Sequence, residues 1–534
     1  MLMTVWKRLA TRLVTRLVAP LGADERGAIA VQFALLLLPI TILTFGLIDI
    51  SRVSVQKHQL QDALDAATLM AARSTETTDA GLDTIGDAAL ATELNGLGVT
   101  LTAANSSFTG AADVTIVGTA SVDIKPIISN LWTNESVITI SARSEVKRAT
   151  NDIEVAMVLD TTGSMAGQKI ADLKAAANEL VKIVVKDSQT PFYSKVAIVP
   201  YSIGVNVGAY ADQVRGPITP AKTITGVSKA NPAVVTSAAH GFADGDKVYI
   251  TGVNGMTSLN KQLFTVAGRT ANTFQLSGVD SRTYSSYSSS GTVTCTKAGC
   301  LNYAFTSETN LTRVNAISNC VSERTGTNAY TDVAPSTTYL GRTYAAAANP
   351  CATPPILPLS SDRTVLTNAI NALTASGSTG GHIGVGWGWY MVSPNFGYLW
   401  PSESRAAAYG KKDLLKVVVL MTDGEYNSAY CKGVISQDST TGSGSADDHI
   451  NCNAPNGGAF AQATALCDAM KLPANGKVIV YTVGFNVVND QRAKDLVNNC
   501  ATDADHVYMP STGADLKDAF AAIGRDITTL RISR

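Results

Sequence analysis

Apolar residues are most concentrated near the start of the chain. Residues 28–48 read AIAVQFALLLLPITILTFGLI, an almost unbroken apolar run in which Gln32 is the most polar member. As an α-helix this run would be about 31 Å long, close to the hydrocarbon thickness of a bilayer. The pattern predicts one transmembrane helix, which we place at residues 27–50.

The charges before this run predict its orientation. Five basic residues precede it: Lys7, Arg8, Arg12, Arg16 and Arg26. The positive-inside rule makes residues 1–26 a cytoplasmic tail and places the rest across the membrane. A cleaved secretory signal is the alternative, but the run is longer than a typical signal and no A-x-A-like site follows promptly. We expect a single-pass protein of the bacterial inner membrane whose bulk lies in the periplasm.

The next pattern has the period of a helix. In residues 49–73 one face repeats apolar residues: Val53, Leu60, Leu64, Ala67 and Ala71. This spacing predicts a helical stalk over residues 51–74 that continues from the membrane. The stalk is either solvated or binds a partner or another copy of itself.

Short alternating runs then replace the helical pattern. VTIVGTASVDI (114–124) and VITISARSEV (137–146) alternate apolar and polar residues, as antiparallel strands do. We assign residues 75–150 to a small β region.

From residue 151 onward, strand and helix patterns alternate. Buried strands are predicted at IEVAMVLD (153–160), KVAIVPYS (195–202), VVVLMTD (417–423) and KVIVYTVGF (477–485). Amphipathic helices are predicted at residues 166–186, 362–374 and 513–531. The alternation predicts a doubly wound α/β sheet, with ligand chemistry at the C-terminal ends of its strands.

Two of these strands end in a carboxylate. Asp160 ends the first and is followed by Thr162 and Ser164, while Asp423 ends the third. Thr379 lies between them in the glycine-rich stretch SGSTGG, before another predicted helix. Because parallel strands end at a common edge, these oxygen side chains are expected to converge on one hard cation.

These motifs resemble a von Willebrand factor A domain with a metal-ion-dependent adhesion site. That family has Asp-x-Ser-x-Ser, then a Thr and an Asp on separate loops, and the matching residues are Asp160, Thr162, Ser164, Thr379 and Asp423. Thr162 replaces the first Ser and keeps the hydroxyl. The resemblance implies Mg²⁺ (or Mn²⁺ or Ca²⁺), held partly through water, with one position left for a partner's Asp or Glu. The alternative is a vestigial site whose residues only cap loops and helices.

The N-terminal stretch has a resemblance of its own. RGAIAVQFALLLLP, followed by ISRVSVQKHQLQDALDAATLMAAR, is similar to the N-terminal segment of TadE/TadG-like proteins of the Flp (tight adherence) pilus assembly system. Its combination with a von Willebrand factor A domain resembles the TadG-like members. Related pilin-like proteins are cut after a Gly, with Glu as the fifth residue of the apolar run. Gly27 fits that pattern but Gln32 does not, so we expect no cleavage.

A strand-rich stretch interrupts the α/β pattern at residues 218–296. Its turn signals, such as HGFADGD and GVNGM, predict an inserted small all-β module. It resembles small β-barrel repeats of phage structural proteins and one subdomain of ubiquitin-activating enzymes. It either decorates a loop or offers a binding face. The first part of the A domain is therefore residues 151–217, and residues 297–534 hold an irregular disulfide-rich segment and the remainder of the domain.

All eight cysteines lie after residue 290. An even number restricted to the exported side predicts disulfides in an oxidising compartment. We take pairing between neighbours as a hypothesis, since spacing alone does not select a connectivity. The pairs would be Cys295–Cys300, Cys320–Cys351, Cys431–Cys452 and Cys467–Cys500. Zinc is not favoured, since CxxC does not occur and the five histidines are scattered, although His382 follows the predicted metal loop.

Composition narrows the function classes. The chain is 45% hydrophobic and 16% charged with a net charge of −1, which argues against disorder and nucleic-acid binding. We find no GxSxG, HExxH or P-loop motif, so a metal-assisted hydrolase is the least favoured class. A pilus assembly protein that binds a protein partner is favoured over the alternative, a surface adhesin or matrix-binding protein without a pilus role.

Overall fold

The computed structural model describes residues 25–74, 76, 78–96, 105–110, 115–126, 137–147, 151–190, 192–487 and 490–530. It divides into two compact units, Met1–Ala149 and Thr150–Arg534. Both contain helices and sheets, which confirms the mixed α/β class. Residues 1–24 of the predicted cytoplasmic tail lie outside the described residues.

The described residues of the first unit form two helices and one sheet. Its elements are α1 (Glu25–Arg73), α2 (Asp79–Gly96), β1 (Ser106–Thr109), β2 (Thr115–Ile124) and β3 (Ile138–Lys147). The strands form an antiparallel sheet in the order β1-β2-β3. Both alternating runs of the sequence therefore form paired strands.

The N-terminal and C-terminal parts of helix α1 have different surroundings. Its N-terminal part is apolar and exposed, and by length and composition the helix could cross a membrane, with a mean hydropathy of 2.3 over its most apolar window. Its C-terminal part buries the apolar face predicted from the sequence, including Leu60, Leu64 and Ala67. These residues share one core with α2 and the sheet. The idea of a solvated stalk is therefore wrong, because the stalk supplies part of a core.

Helix α2 corrects the assignment of residues 75–150 to a β region alone. Its buried residues Leu82, Leu90 and Leu94 have helical spacing, but Gly and Thr weaken its intrinsic propensity. Tertiary packing stabilises it instead. A Cβ on Gly86 would overlap the Phe108 ring, so this helix and β1 approach closely only because the residue is glycine.

The second unit is larger and mixes short strands with longer ones. Its elements, in chain order, are β4 (Asp152–Asp160), α3 (Gln168–Val184), β5 (Ser194–Tyr201), β6 (Val205–Asn206), α4 (Ala211–Arg215), β7 (Lys222–Thr223), β8 (Gly226–Val227), β9 (Val234–Thr236), β10 (Lys247–Thr251), β11 (Gln262–Ala267), β12 (Thr273–Leu276), β13 (Thr292–Cys295), β14 (Asn302–Thr306), β15 (Thr312–Ser322), β16 (Gly341–Tyr344), β17 (Leu357–Ser360), α5 (Arg363–Asn371), α6 (Gly381–Val392), β18 (Leu414–Thr422), β19 (Tyr430–Cys431), β20 (Val434–Ile435), α7 (Ala459–Lys471), β21 (Ile479–Gly484), α8 (Gln491–Cys500), β22 (Val507–Tyr508) and α9 (Gly513–Leu530).

The main sheet has the order β17-β5-β4-β18-β21-β22. All its neighbours run parallel except the edge strand β17, which is antiparallel to β5. The first strand of the unit, β4, has β5 on one side and β18 on the other. The chain thus changes direction across the sheet beside β4, where open α/β sheets form a crevice at the carboxyl ends of their strands.

Helices cover both faces of this sheet. Alternate residues of β4 point to opposite sides: Val155 and Met157 join the core under α3, α5 and α9, whereas Val158 joins the core under α6, α7 and α8. Burial on both faces explains why the strand reads as a continuous apolar run. The aromatic residues Trp387 and Trp389 of α6 are fully buried.

Two further sheets lie between β5 and β18 in the sequence. Strands β7–β13 form a seven-stranded antiparallel sheet in the order β7-β13-β10-β11-β12-β9-β8, around a core of its own. The segment from residue 297 is less irregular than predicted, because β14, β15 and β16 pair into a sheet that β6 joins. The sequence did not predict this sheet, because much of β15 is only partly buried and many of its residues are polar.

All four predicted disulfides are present. The structure joins Cys295–Cys300, Cys320–Cys351, Cys431–Cys452 and Cys467–Cys500. The last pair links α7 to α8 inside the main core, where both cysteines are fully buried. Two of the bonds, Cys320–Cys351 and Cys431–Cys452, fasten irregular connections to strands β15 and β19.

The closed loops predict how much each bond contributes to stability. The Cys467–Cys500 bond closes a separation of 33 residues, and the Cys295–Cys300 bond closes only 5. Loop-closure entropy then predicts a loss of about 4 kcal/mol on removing the first bond and about 2 kcal/mol on removing the second. Urea unfolding of Cys467→Ala/Cys500→Ala and Cys295→Ala/Cys300→Ala under non-reducing conditions measures both losses. A larger loss from the second pair would contradict the loop-length argument.

Candidate functional site

The register of the main sheet brings two sequence motifs to one edge. In the parallel pairing of β4 with β18, Leu159 is opposite Met421, so the next residues, Asp160 and Thr422, lie at the same level. On the other side of β4, Asp160 pairs with Tyr201. Asp423 follows one residue after the end of β18. Residues distant in sequence therefore meet at the carboxyl ends of adjacent strands.

The loop after β4 connects the two carboxylates through hydroxyl groups. Thr162 Oγ1 donates to Asp160 Oδ1 at 2.6 Å, and Ser164 Oγ donates to Asp423 Oδ1 at 2.7 Å. The two hydroxyl oxygens are 2.9 Å apart. The structure thus brings together four of the five predicted ligands in one continuous chain of contacts.

These two hydroxyls have more acceptors than protons. Each hydroxyl has a single proton to donate. Thr162 can donate to Asp160 or to Ser164, and Ser164 can donate to Asp423 or to Thr162. The hydroxyl oxygens lie 2.9 Å apart, and either can be the donor of the bond between them.

The Asp160 carboxylate is enclosed by hydrogen-bond donors. It is fully buried, and its Oδ2 accepts hydrogen bonds from the Tyr201 hydroxyl at 2.9 Å and the Thr422 hydroxyl at 3.1 Å. Burial and then the Asp423 charge raise the pKa of Asp160 to about 6, against the hydrogen bonds from Thr162 and Tyr201, which lower it. The carboxylate is therefore ionised at neutral pH because these donors offset part of the cost of burial.

The second carboxylate forms an ion pair with a lysine. Lys169 Nζ lies 2.7 Å from Asp423 Oδ2, and the Asp423 side chain is only 2% exposed. Two carboxylates and one ammonium group leave the site with a formal charge of −1. The sequence reading missed Lys169, Tyr201 and Thr422. The spacing of Lys169 after Ser164 was visible, but only the fold shows that it points back to Asp423.

Thr379, the fifth predicted ligand, lies on a loop held against the first one. Gly163 N donates to Gly377 O at 2.9 Å, which ties the two loops together. The Thr379 amide donates to Asn427 Oδ1 at 2.8 Å, and its carbonyl accepts from the Asn427 amide at 3.0 Å. These bonds fix the backbone of Thr379, and within the described part of the chain its side chain makes no hydrogen bond to the other four predicted ligands.

His382 does not join this group. It is fully buried in the first turn of α6, with its Nε2 3.5 Å from Glu323 Oε2. This contact places it on the side of α6 that faces the disulfide-linked segment, and it makes no contact with the predicted ligands among the described residues.

A cavity of about 240 Å³ adjoins the loop that carries Thr379. Its wall includes Gly377 and Ser378 of that loop, together with Asn349, Asp448 and His449 from the long connections. Asn349 Nδ2 donates to Ser378 Oγ at 2.8 Å and helps to fix this wall. Gly163, which lies between the two hydroxyl residues in the sequence, contacts the loop that forms this wall of the cavity.

The donor set fits a small hard cation. Neighbouring ligands of an octahedral Mg²⁺ with bonds of about 2.1 Å lie about 3.0 Å apart, and the two hydroxyl oxygens are 2.9 Å apart. The nearby groups are carboxylate and hydroxyl oxygens, which Mg²⁺ prefers. No cluster of three His, Cys, Asp or Glu side chains suited to a metal occurs among the described residues, so the hydroxyls would be necessary ligands.

Two segments of the chain match known protein families. Residues 27–74 match the Flp pilus-assembly TadE/G-like family, so the predicted TadE/G-like segment is confirmed and coincides with the apolar helix α1. Residues 230–297 match the ubiquitin-activating enzyme E1 FCCH domain. A comparison with curated protein sequences gave no match.

Several solved structures with some likeness to the chain are of pilus proteins, and another is of proximal thread matrix protein 1 from the mussel byssus. The von Willebrand factor domain of the type V pilus tip protein Mfa5 from Porphyromonas gingivalis is 12% identical, with a TM-score of 0.33, and the match covers 72% of this chain and 97% of that one. The tip pilin GBS104 from Streptococcus agalactiae is 10% identical, with a TM-score of 0.31, over 70% of this chain and 100% of that one. The pilus adhesin SpaC from Lactobacillus rhamnosus is 10% identical, with a TM-score of 0.30, over 79% of this chain and only 34% of SpaC. The likeness is distant in each case.

The hydrogen bond from Tyr201 to Asp160 predicts a specific loss of stability. Tyr201→Phe removes one donor from a buried carboxylate, and hydrogen bonds to charged groups contribute about 1.5–3 kcal/mol. Tyr430→Phe is a matched control, since the Tyr430 hydroxyl is also buried but donates to a neutral carbonyl, Ile203 O. Urea unfolding at pH 7 in a chelator should show the larger loss for Tyr201→Phe. Equal losses would mean that the Asp160 charge does not depend on this donor.

Proposed function

Because the chain carries a TadE/G-like segment at residues 27–74, we propose that it is a membrane-anchored protein of Flp pilus assembly. In this proposal α1 crosses the bacterial inner membrane once, with the basic tail in the cytoplasm and both compact units in the periplasm. The four disulfides, all in the second unit, support an oxidising location. The contrast between the exposed apolar N-terminal part of α1 and its packed C-terminal part supports the anchor.

The second unit is proposed to be a doubly wound von Willebrand factor A domain with an inserted all-β module. The mostly parallel sheet with helices on both faces supports this assignment, as does the change of direction beside β4. The seven-stranded antiparallel sheet between β6 and β14 supports the inserted module. Its role is structural in this proposal, since no candidate ligand lies within it.

At the carboxyl edge of the sheet we place a Mg²⁺ site. The observation that carries this proposal is the close approach of two hydroxyl oxygens, from Thr162 and Ser164, which lie 2.9 Å apart and each contact one of the two carboxylates. A cation bound by both hydroxyl oxygens would replace this hydrogen bond with coordination. Asp160, Asp423 and Thr379 would complete the protein's share, directly or through water.

The proposed task of the site is to bind a protein partner. The bound cation would supply a Lewis-acidic position for a carboxylate, so the partner offers an Asp or Glu. The cavity beside Gly377 and Ser378 lies close enough to receive a neighbouring residue of the same partner. In this proposal the hydroxyls of Thr162 and Ser164 are metal ligands and not nucleophiles, so we propose binding and not catalysis.

Metal binding is tested with a conservative pair of substitutions. Ser164→Ala removes one hydroxyl ligand and is expected to weaken Mg²⁺ binding by about tenfold or more, because a six-coordinate ion would lose one oxygen. Thr162→Ser is the matched control, since it keeps the hydroxyl and produces the family's own Asp-x-Ser-x-Ser motif. Calorimetric titration of the detergent-purified full-length protein measures both affinities. Equal affinities for Ser164→Ala and the unaltered protein would exclude this hydroxyl as a ligand.

The role in pilus assembly is tested in cells that carry the same variants. With membrane levels matched, Ser164→Ala should reduce the number of surface pili, whereas Thr162→Ser should leave it unchanged. Pili counted by electron microscopy provide the readout. Normal pili in Ser164→Ala cells, together with lost adhesion to a matrix, would favour the alternative of an adhesin without a role in assembly.

A further inference from the structure

Lys169 occupies a position that helix electrostatics disfavour. It is the second residue of α3, where the positive end of the helix dipole repels a cation. Other lysines of α3 do not meet this problem, as Lys174 lies further along and donates to Asn371 O. A lysine in the first turn therefore needs a local compensating charge, and Asp423 supplies it at 2.7 Å.

The geometry lets Lys169 reach the site from the solvent side. Its side chain is 32% exposed, whereas that of Asp423 is 2% exposed. The partly exposed ammonium group therefore contacts a carboxylate that is itself almost completely buried. Asp423 uses its two oxygens separately, with Oδ1 accepting from Ser164 and Oδ2 facing Lys169.

A metal ion and the Lys169 ammonium group would both be attracted to the Asp423 carboxylate. A cation between Thr162 and Ser164 would lie next to Asp423 Oδ1, on the carboxylate whose other oxygen contacts Lys169. Like charges this close repel strongly where water is partly excluded. Each cation therefore lowers the affinity of the site for the other.

We propose that Lys169 is a built-in competitor of the metal, which holds the Asp423 carboxylate in the metal-free protein and is displaced or destabilised when a divalent cation binds. This inference rests on the proposed metal site. It assigns Lys169 two opposite effects, since the residue stabilises the metal-free protein and weakens metal binding. A residue that merely shaped the loop would change both properties in the same direction.

Calorimetric titration of the full-length protein in detergent with MgCl₂ tests the proposal. Lys169→Met removes the charge and keeps most of the length of the side chain, and it should bind Mg²⁺ about tenfold more tightly or better, as the loss of a nearby like charge predicts. Lys169→Gln is a second neutral variant that can still donate to Asp423, and it should also bind more tightly. Lys169→Arg keeps the charge and should bind like the unaltered protein. Lys174→Met makes the same change in net charge on the same helix, away from the site.

Thermal unfolding in EDTA provides the second readout. Lys169→Met should melt at a lower temperature than Lys174→Met, because it leaves two carboxylates without their cation. Saturating Mg²⁺ should raise the melting temperature of Lys169→Met by more than it raises that of the unaltered protein. An equal melting temperature in EDTA for the two variants would overturn the idea that Lys169 compensates Asp423.

The outcomes separate this inference from the proposed function. Tighter binding by both neutral variants supports competition, even if the unaltered protein binds too weakly to detect. Equal or weaker binding by Lys169→Met and Lys169→Gln, with clear binding by the unaltered protein, overturns competition and leaves the metal site in place. Undetectable binding by every variant overturns the metal site as well as the competition.

Discussion

The second unit depends on keeping a charged carboxylate inside a parallel sheet. Asp160 has no access to water, so its charge is stable only because donors from three separate elements converge on it. The hydroxyl of Tyr201 comes from β5, that of Thr422 from β18, and that of Thr162 from the loop after β4. A buried carboxylate without such partners would be protonated or would destabilise the fold. Satisfying this one group therefore fixes the relative positions of three strand ends.

The same constraint extends outward through charge. Asp423 adds a second negative group within the hydrogen-bonded chain, and among the described residues the Lys169 ammonium group is the one cation in contact with the two carboxylates. This imbalance is unusual for buried carboxylates, because unpaired buried charge is costly. The proposed cation would balance it. The loops around it are then held by neutral contacts, such as the bond from Gly163 to Gly377, that do not use up the charged groups.

The two units differ in how their apolar residues are covered. In the second unit, β4 and β18 bury both faces of a sheet between helices, and disulfides fasten the long connections around it. In the first unit a single helix serves as both a membrane-type segment and a core element. The change occurs along α1 where continuous apolar residues give way to an apolar face with helical spacing. In this C-terminal part only one face of α1 is apolar, and the sheet and α2 cover that face.

Local sequence determined much of this protein. The apolar run, the buried strands and the amphipathic helices were readable because each depends on residues close together in the chain. The pairing of neighbouring cysteines was only a hypothesis, because bonds that span up to 33 residues are decided by the fold. Tertiary structure decided the rest. Helix α2 and the sheet formed by β14, β15 and β16 gain their stability from packing and pairing with distant residues, so their own patterns are weak. At the site, the sequence supplied Asp160, Thr162, Ser164 and Asp423 as candidates, but Tyr201 and Lys169 joined them only through strand register and the direction of α3. The carboxylates could be found in the sequence because they end strands, whereas the groups that neutralise them could not, since charge compensation depends on distance in space.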